Sequence, residues 1–162
     1  MRIAFPAVLL ILCLPSPAQD AEMRRHFDYD RKASLDVQQV GVERRGEVNV
    51  HDISYASPGG GRVPAYLVVP RGKGTFAAVI WGHWYMTGSE FRNRKEFLAE
   101  AVALAPAGVV SLLMDGPIAR PGHVEDQTDL SEQQITDRVQ AIVDTRRGAD
   151  LLLARGDRKS VV

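Results

Sequence analysis

Two short segments hold the residue types from which a reaction site could be built. One is Gly82-His83-Trp84-Tyr85-Met86-Thr87-Gly88, and the other is Asp115-Gly116-Pro117-Ile118-Ala119-Arg120-Pro121-Gly122. Each follows an apolar run, Phe76 to Trp81 for the first and Val109 to Met114 for the second. Backbone N–H groups near Trp84 and Tyr85 can point at a developing oxyanion, and a helix opening after the loop adds positive potential. The competing reading is a strand-to-helix loop whose aromatics pack on the sheet. Spacing alone leaves both open.

Other chemistries fit less well. A dinucleotide site needs three glycines in a G-x-G-x-x-G run directly after a strand. Here Gly82 and Gly88 stand six apart with bulky residues between them. His26, His51, His83 and His123 are scattered, and none has a helical i, i+4 partner, so they read as surface or loop histidines and no metal site is expected. His123 has acidic neighbours in Glu125 and Asp126, which a flexible polar loop explains without a metal. Nucleophilic catalysis needs a serine or cysteine on a sharp turn with a base beside it. The G-x-S-x-G elbow does not occur. Ser57 sits in a hairpin turn, and Ser89 reads as a helix cap. No catalytic nucleophile is identifiable in the chain.

The elements that must position these segments follow from periodicity. Val48 and Val50 alternate, then Ile53 and Tyr55 alternate in the opposite phase, which predicts a strand over 48–56 with a bulge inside it. The glycines of 57–62 supply a turn. Val63, Ala65, Leu67 and Val69 return on one face, a hairpin signal, with Pro64 placing the start of that strand near a sheet edge. The two apolar runs read as parallel strands covered on both faces. Between them Phe97, Leu98, Ala101, Val102, Leu104 and Ala105 recur with helical spacing. Thr87 and Glu90 stand in capping-box positions, and Pro106 with Gly108 closes the helix. A second helix carries Ile135, Val139, Ile142 and Val143 behind a second capping pair, Ser131 and Gln134. The order is hairpin, strand, helix, strand, helix, an α/β layer fold with right-handed parallel crossovers. Ser160 to Val162 read as the opening of a third parallel strand. The sheet is therefore expected to be incomplete, cut short with an apolar edge.

Bulk properties set the frame. The 162 residues amount to about one domain, and 45% hydrophobic with 25% charged residues is a globular composition. Twenty basic residues balance twenty acidic ones, so no net field draws in nucleic acid or an anionic membrane. The densest basic cluster, Arg92 to Lys95, reads as a solvated helix face. At the start, Arg2, an apolar core from Ile3 to Leu14, Pro15, and small residues at 16 and 18 predict an export signal over 1–18. A retained anchor is the rival, although the apolar core is short for a bilayer span. Cys13, the lone cysteine, would leave with the signal and take with it any disulfide or thiolate metal site. The expected domains are thus a signal over 1–18, an N-terminal arm over 19–46 and a partial α/β domain over 47–162. The product is expected to be periplasmic or extracellular, with no stable membrane anchor after cleavage.

Taken together, the hairpin "HDISYASPGGGRVPAYLVVPRGKGTFAAVIWGHW", the strand "AGVVSLLMDGP" and the helix "QAIVDTRRGADLLLARGD" resemble the N-terminal half of an α/β-hydrolase. The likeness is to the dienelactone hydrolase and acetyl-xylan-esterase-like branch and spans roughly 47–162. It implies a serine hydrolase acting on carboxylic esters or related small acyl compounds, with no cofactor. A backbone N–H of His83, Trp84 or Tyr85 would form half of the oxyanion hole. Trp84, Tyr85, Asp115 and Pro117 would wall the acyl pocket. The family's nucleophile, acid and histidine have no counterpart in these residues, so the resemblance implies an N-terminal fragment inactive by itself. A small exported non-catalytic ligand-binding α/β module is the alternative.

Overall fold

The computed structural model describes residues 17–72, 74–84, 89–90, 92–124, 126, 128, 130–156 and 158–161. The predicted signal up to residue 16, and Tyr85, Thr87 and Gly88 of the first loop, lie outside the described residues. In chain order the elements are α1 (Pro17–Arg25), β1 (Gln38–Arg45), β2 (Val48–Ala56), β3 (Arg62–Pro70), β4 (Phe76–Trp81), α2 (Leu98–Leu104), β5 (Val109–Met114), α3 (Glu132–Leu153) and β6 (Arg158–Val161). The strands form one sheet in the order β1-β2-β3-β5-β4-β6. The β1/β2, β2/β3 and β3/β5 pairs are antiparallel, whereas β4 runs parallel to both β5 and β6. This is the α/β arrangement expected from the sequence, including the third parallel strand at its end.

The phase slip in β2 has a different cause from the one expected. β2 pairs with β3 without any register shift, from Val48 opposite Pro70 to Ala56 opposite Arg62. Its first half instead buries Val48 and Val50 on one face with Val68, Leu113 and α2's Ala101. Its second half buries Ile53 and Tyr55 on the other face with Val63, Leu112 and α3's Leu151 and Leu152. A strand that changes its buried face midway reverses its apolar phase without an inserted residue. The bulge lies across the ladder, in β1, where the register slips between Gln39 and Gly41 and leaves Val40 without a partner.

One local expectation is narrowed and another is corrected. β3 as a whole is an interior strand, between β2 and β5, and only its start, Arg62 to Pro64, is without a ladder partner on one side, as Pro64 suggests. Pro64 falls one residue outside the β3/β5 ladder, which begins at Ala65, and its carbonyl accepts the N–H of Asp115 at 2.9 Å. The missing donor thus costs no bridge. The helix between the parallel strands begins at Leu98 with no side-chain cap, well past Glu90. Residues 92–95 form a turn, and Arg94 is engaged with acids and a ring, as described below, so the basic cluster is not a solvated helix face. The predicted closing signal holds: Pro106 lies in a short 3₁₀ turn and Gly108 adopts φ 84°, a left-handed stop that suits glycine.

α3 is 22 residues long, about 33 Å. Ser131 caps it by accepting the Gln134 N–H at 3.2 Å. The Gln134 side chain does not return the bond; its Nε2 donates to the Asp126 carbonyl at 2.9 Å. The helix lies close over the sheet at Gly148, where an added Cβ would stand 2.9 Å from Leu112 Cδ2 and 3.1 Å from the Tyr55 hydroxyl. One turn earlier the fully buried Asp144 accepts from the Ser57 hydroxyl at 2.7 Å, from Gln140 Nε2 at 2.8 Å and from the Arg120 guanidinium. Its own carbonyl accepts the Tyr55 hydroxyl at 3.0 Å. The hairpin turn, the loop after β5 and the helix meet at this one acid.

The outer side of α3 holds the N-terminal arm. Arg147, only 2% exposed, donates to the carbonyls of Arg31 (3.2 Å) and Ala33. Asp150 accepts from Tyr29 at 2.7 Å and from Arg31 Nη2 at 2.6 Å. Arg146 donates to the Phe27 carbonyl and lies 5.1 Å from the Tyr29 ring centre. Arg147 is the buried donor of this set, and a hydrogen bond from a charged group is worth about 1.5–3 kcal/mol where it is shielded from water. Arg147→Met is therefore expected to release residues 27–35 while the sheet survives. Limited proteolysis should then cut within the arm at concentrations that leave the wild-type chain whole.

Candidate functional site

β4 and β5 are parallel neighbours, so their carboxyl ends open on the same side of the sheet. Ligands of open α/β sheets bind there. Between those ends lies a cavity of about 190 Å³. Gly82 and His83 border it from β4, and Met114, Gly116, Pro117 and Ile118 from β5. α3 closes it with Ala141 and Thr145, and Asp137 and Arg138 add charge.

Three hydrogen bonds tie the strand ends to each other and to the turn before α2. His83 Nε2 accepts the Gly116 N–H at 2.9 Å. A ring nitrogen that accepts from an amide carries no proton, so Nδ1 holds the proton and donates it to the Trp84 carbonyl at 3.0 Å. The Trp84 N–H donates to Glu96 Oε2 at 2.9 Å. Asp115 Oδ1 accepts the Arg94 N–H at 2.7 Å. Arg94 also pairs with Asp52 at 3.0 Å and stacks 4.4 Å from the Tyr66 ring centre. His83 and Gly116 are in tight contact: a Cβ at 116 would meet His83 Nε2 at 3.2 Å. Gly116 has an ordinary φ of −64°, so only the ring resists a side chain there. Gly116→Val is expected to turn the imidazole away and open the Gly116 N–H bond. The His83 ring resonances would report that as a lost Nδ1-protonated pattern.

The structure brings some of the anticipated residues together and separates others. His83 and Pro117 line the cavity. Trp84 is 67% exposed and stands outside it. Asp115 is buried and does not border the cavity; its carboxylate accepts from Arg94. Tyr85 lies outside the described residues. Ser57 is committed to Asp144 and Gln140, a structural role. His123 faces Asp137 of α3 at 3.4 Å. Among the described residues no group of three metal-ligating side chains forms. Sequence reasoning missed Glu96 and α3's contribution to the cavity. Glu96 adjoins the basic cluster read as solvated, and Ala141 and Thr145 are too plain to signal anything.

Burial pushes the Asp115 carboxyl above the usual range, against the opposing pull of the Arg94 N–H and guanidinium. Asp150 is held below it: burial raises it, but the Arg31 and Tyr29 hydrogen bonds outweigh that. The two acids act in opposite senses. With its folded pKa raised, Asp115 adds stability that is present below the unfolded carboxyl pKa and is lost as pH rises through its folded value. With its folded pKa depressed, Asp150 adds stability that is present above the unfolded pKa and is lost as pH falls through its folded value. A carboxyl NMR titration should place Asp115 above the ordinary aspartate range and Asp150 below it. In Asp115→Asn the loss of stability on the alkaline side of that window should shrink.

No family model matches the sequence, and no curated protein sequence matches it. Solved structures do. Acetyl xylan esterase 1 from Thermoanaerobacterium sp. JW/SL YS485 superposes with a TM-score of 0.63 at 15% identity, over 86% of this chain and 47% of that one. The acetyl xylan esterase from Paenibacillus sp. R4 gives 0.55 at 15%, over 88% and 49%. Methylesterase BT1017 gives 0.61 at 15%, over 87% and 33%. The chain thus shares its fold with the matching part of these structures, and it spans less than half the length of each of them.

Proposed function

We propose that the chain is the N-terminal part of an exported serine hydrolase that cleaves small carboxylic esters or related acyl compounds. The observation that carries this reading is the cavity at the carboxyl ends of β4 and β5, walled by Gly82 and His83 on one side and by Gly116 to Ile118 on the other. The esterase-like fold supports it. In this reading the loop from His83 to Tyr85 offers a backbone N–H to the carbonyl oxygen, and Pro117 and Ile118 border the acyl group. Electrostatic stabilisation of that oxygen is the contribution such a loop makes, and it needs a nucleophile to act upon. The serine, acid and histidine of the triad belong to residues other than these, and the chain by itself does not turn over ester. No cofactor or metal enters the scheme.

Two measurements on this chain test it. A small unreactive carbonyl compound such as acetone should shift the His83, Met114 and Ile118 resonances together in a saturable way. 4-Nitrophenyl acetate should be hydrolysed at the buffer rate, unchanged by a serine-directed organophosphate. Absence of any shift at the cavity would overturn the carbonyl site, and organophosphate-sensitive turnover would overturn the assignment of the nucleophile elsewhere.

A further inference from the structure

The Trp84 N–H lies just beyond β4, in the loop assigned above to the carbonyl oxygen, and an acid already sits on it. Glu96 Oε2 accepts that N–H at 2.9 Å. The acid comes from the turn before α2, and the turn is pinned from three sides. The Glu96 N–H donates to the Asn93 carbonyl at 3.1 Å. The Arg94 N–H is held by Asp115 at 2.7 Å. The Arg94 side chain is fixed between Asp52, 3.0 Å away, and the Tyr66 ring, 4.4 Å from its centre.

A hydrogen bond from an amide to an ionised carboxylate is about twice as strong as one to a neutral carbonyl. A neutral ester oxygen therefore competes poorly with Glu96 for this donor. A negatively charged oxygen fares no better while the carboxylate remains, since like charges within hydrogen-bonding reach repel. One donor cannot serve both at full strength. We propose that Glu96 is an internal occupant of the anion position, a carboxylate that holds the Trp84 N–H until a ligand oxygen displaces it. The inference rests on the carbonyl-site reading above. The ligand chemistry is that of a small carboxylate or a tetrahedral oxyanion, each carrying the charge that Glu96 carries here. The contact works as an inhibitory latch: it keeps the donor aimed while lowering the site's affinity for anions.

The test is an acetate titration of the whole chain followed by backbone amide NMR, in wild type, Glu96→Ala and Glu96→Gln. Glutamine keeps the length and an acceptor oxygen but not the charge, so it guards against a folding defect in the alanine variant. Without acetate, the Trp84 amide should move upfield in Glu96→Ala as its charged partner is lost. With acetate, Glu96→Ala should show a saturable Trp84 shift with a Kd about tenfold below wild type, the size expected of one charge-assisted bond. Glu96→Gln should fall between. Equal Kd values in all three chains would remove Glu96 as the occupant and leave the carbonyl-site reading standing. If no amide from Gly82 to Trp84 responds in any of the three, both fail.

Discussion

Asp144→Ala is expected to destabilise the chain by about 3–5 kcal/mol, the cost of stripping one partner from a buried ion pair. Asp144 is fully buried, and the Arg120 side chain that pairs with it is only 16% exposed, so removing the acid leaves a cation with little water to turn to. The Ser57 hydroxyl and the Gln140 amide lose an acceptor at the same time. Against a total stability of about 5–15 kcal/mol this is a large fraction. The double variant Asp144→Leu with Arg120→Met should recover most of the loss, because a dry apolar pair costs less than an orphaned charge. Urea unfolding of the three chains checks this. A double variant no more stable than Asp144→Ala would mean that the network's hydroxyl and amide bonds, and not the charge pair, hold the junction.

Gly148→Val is the second large effect, about 3 kcal/mol or more of destabilisation. A single added Cβ already falls within 2.9 Å of Leu112 Cδ2, and Leu112 has no room to retreat because it is fully buried. The branched methyls also press on the Tyr55 hydroxyl, whose bond to the Asp144 carbonyl would stretch. Helix propensity acts the other way, since most residues suit a helix better than glycine by up to about 1 kcal/mol. The overlap outweighs it. Alanine at the same place is the informative comparison. Gly148→Ala alone should destabilise, yet in a Leu112→Ala background, itself expected to cost about 2–5 kcal/mol, it should refill part of the vacated space. A favourable coupling in the double-mutant cycle identifies that packing; additivity of the two changes would show that α3 shifts outward instead.

Residue patterns made the core strands and their order legible because those segments are apolar on nearly every position. β5 is buried along almost its whole length, and a run of branched residues there has no other reading. β1, inside the arm, is not marked by any residue pattern because its positions are almost all exposed, which leaves no alternation to detect. α3 was legible as a helix but not in its orientation. Ile135 and Ile142 are 51% and 48% exposed, while Asp144 and Arg147 are buried. The usual rule of apolar in and charged out inverts when long-range partners neutralise the charges. The site was legible in part for the same reason. His83 and Pro117 announce themselves by type and by their place after strands. Glu96 matters through a contact twelve residues back, which no local spacing encodes.

The strand β2 carries one further consequence. Its first half faces the layer of α2 and its second half the layer of α3. A single rigid ribbon thus supplies walls to two separate oily compartments. Neither compartment can flood without dragging the shared wall, so local melting should not stop at the boundary between them. Amide exchange along the ribbon should report one common opening energy from end to end.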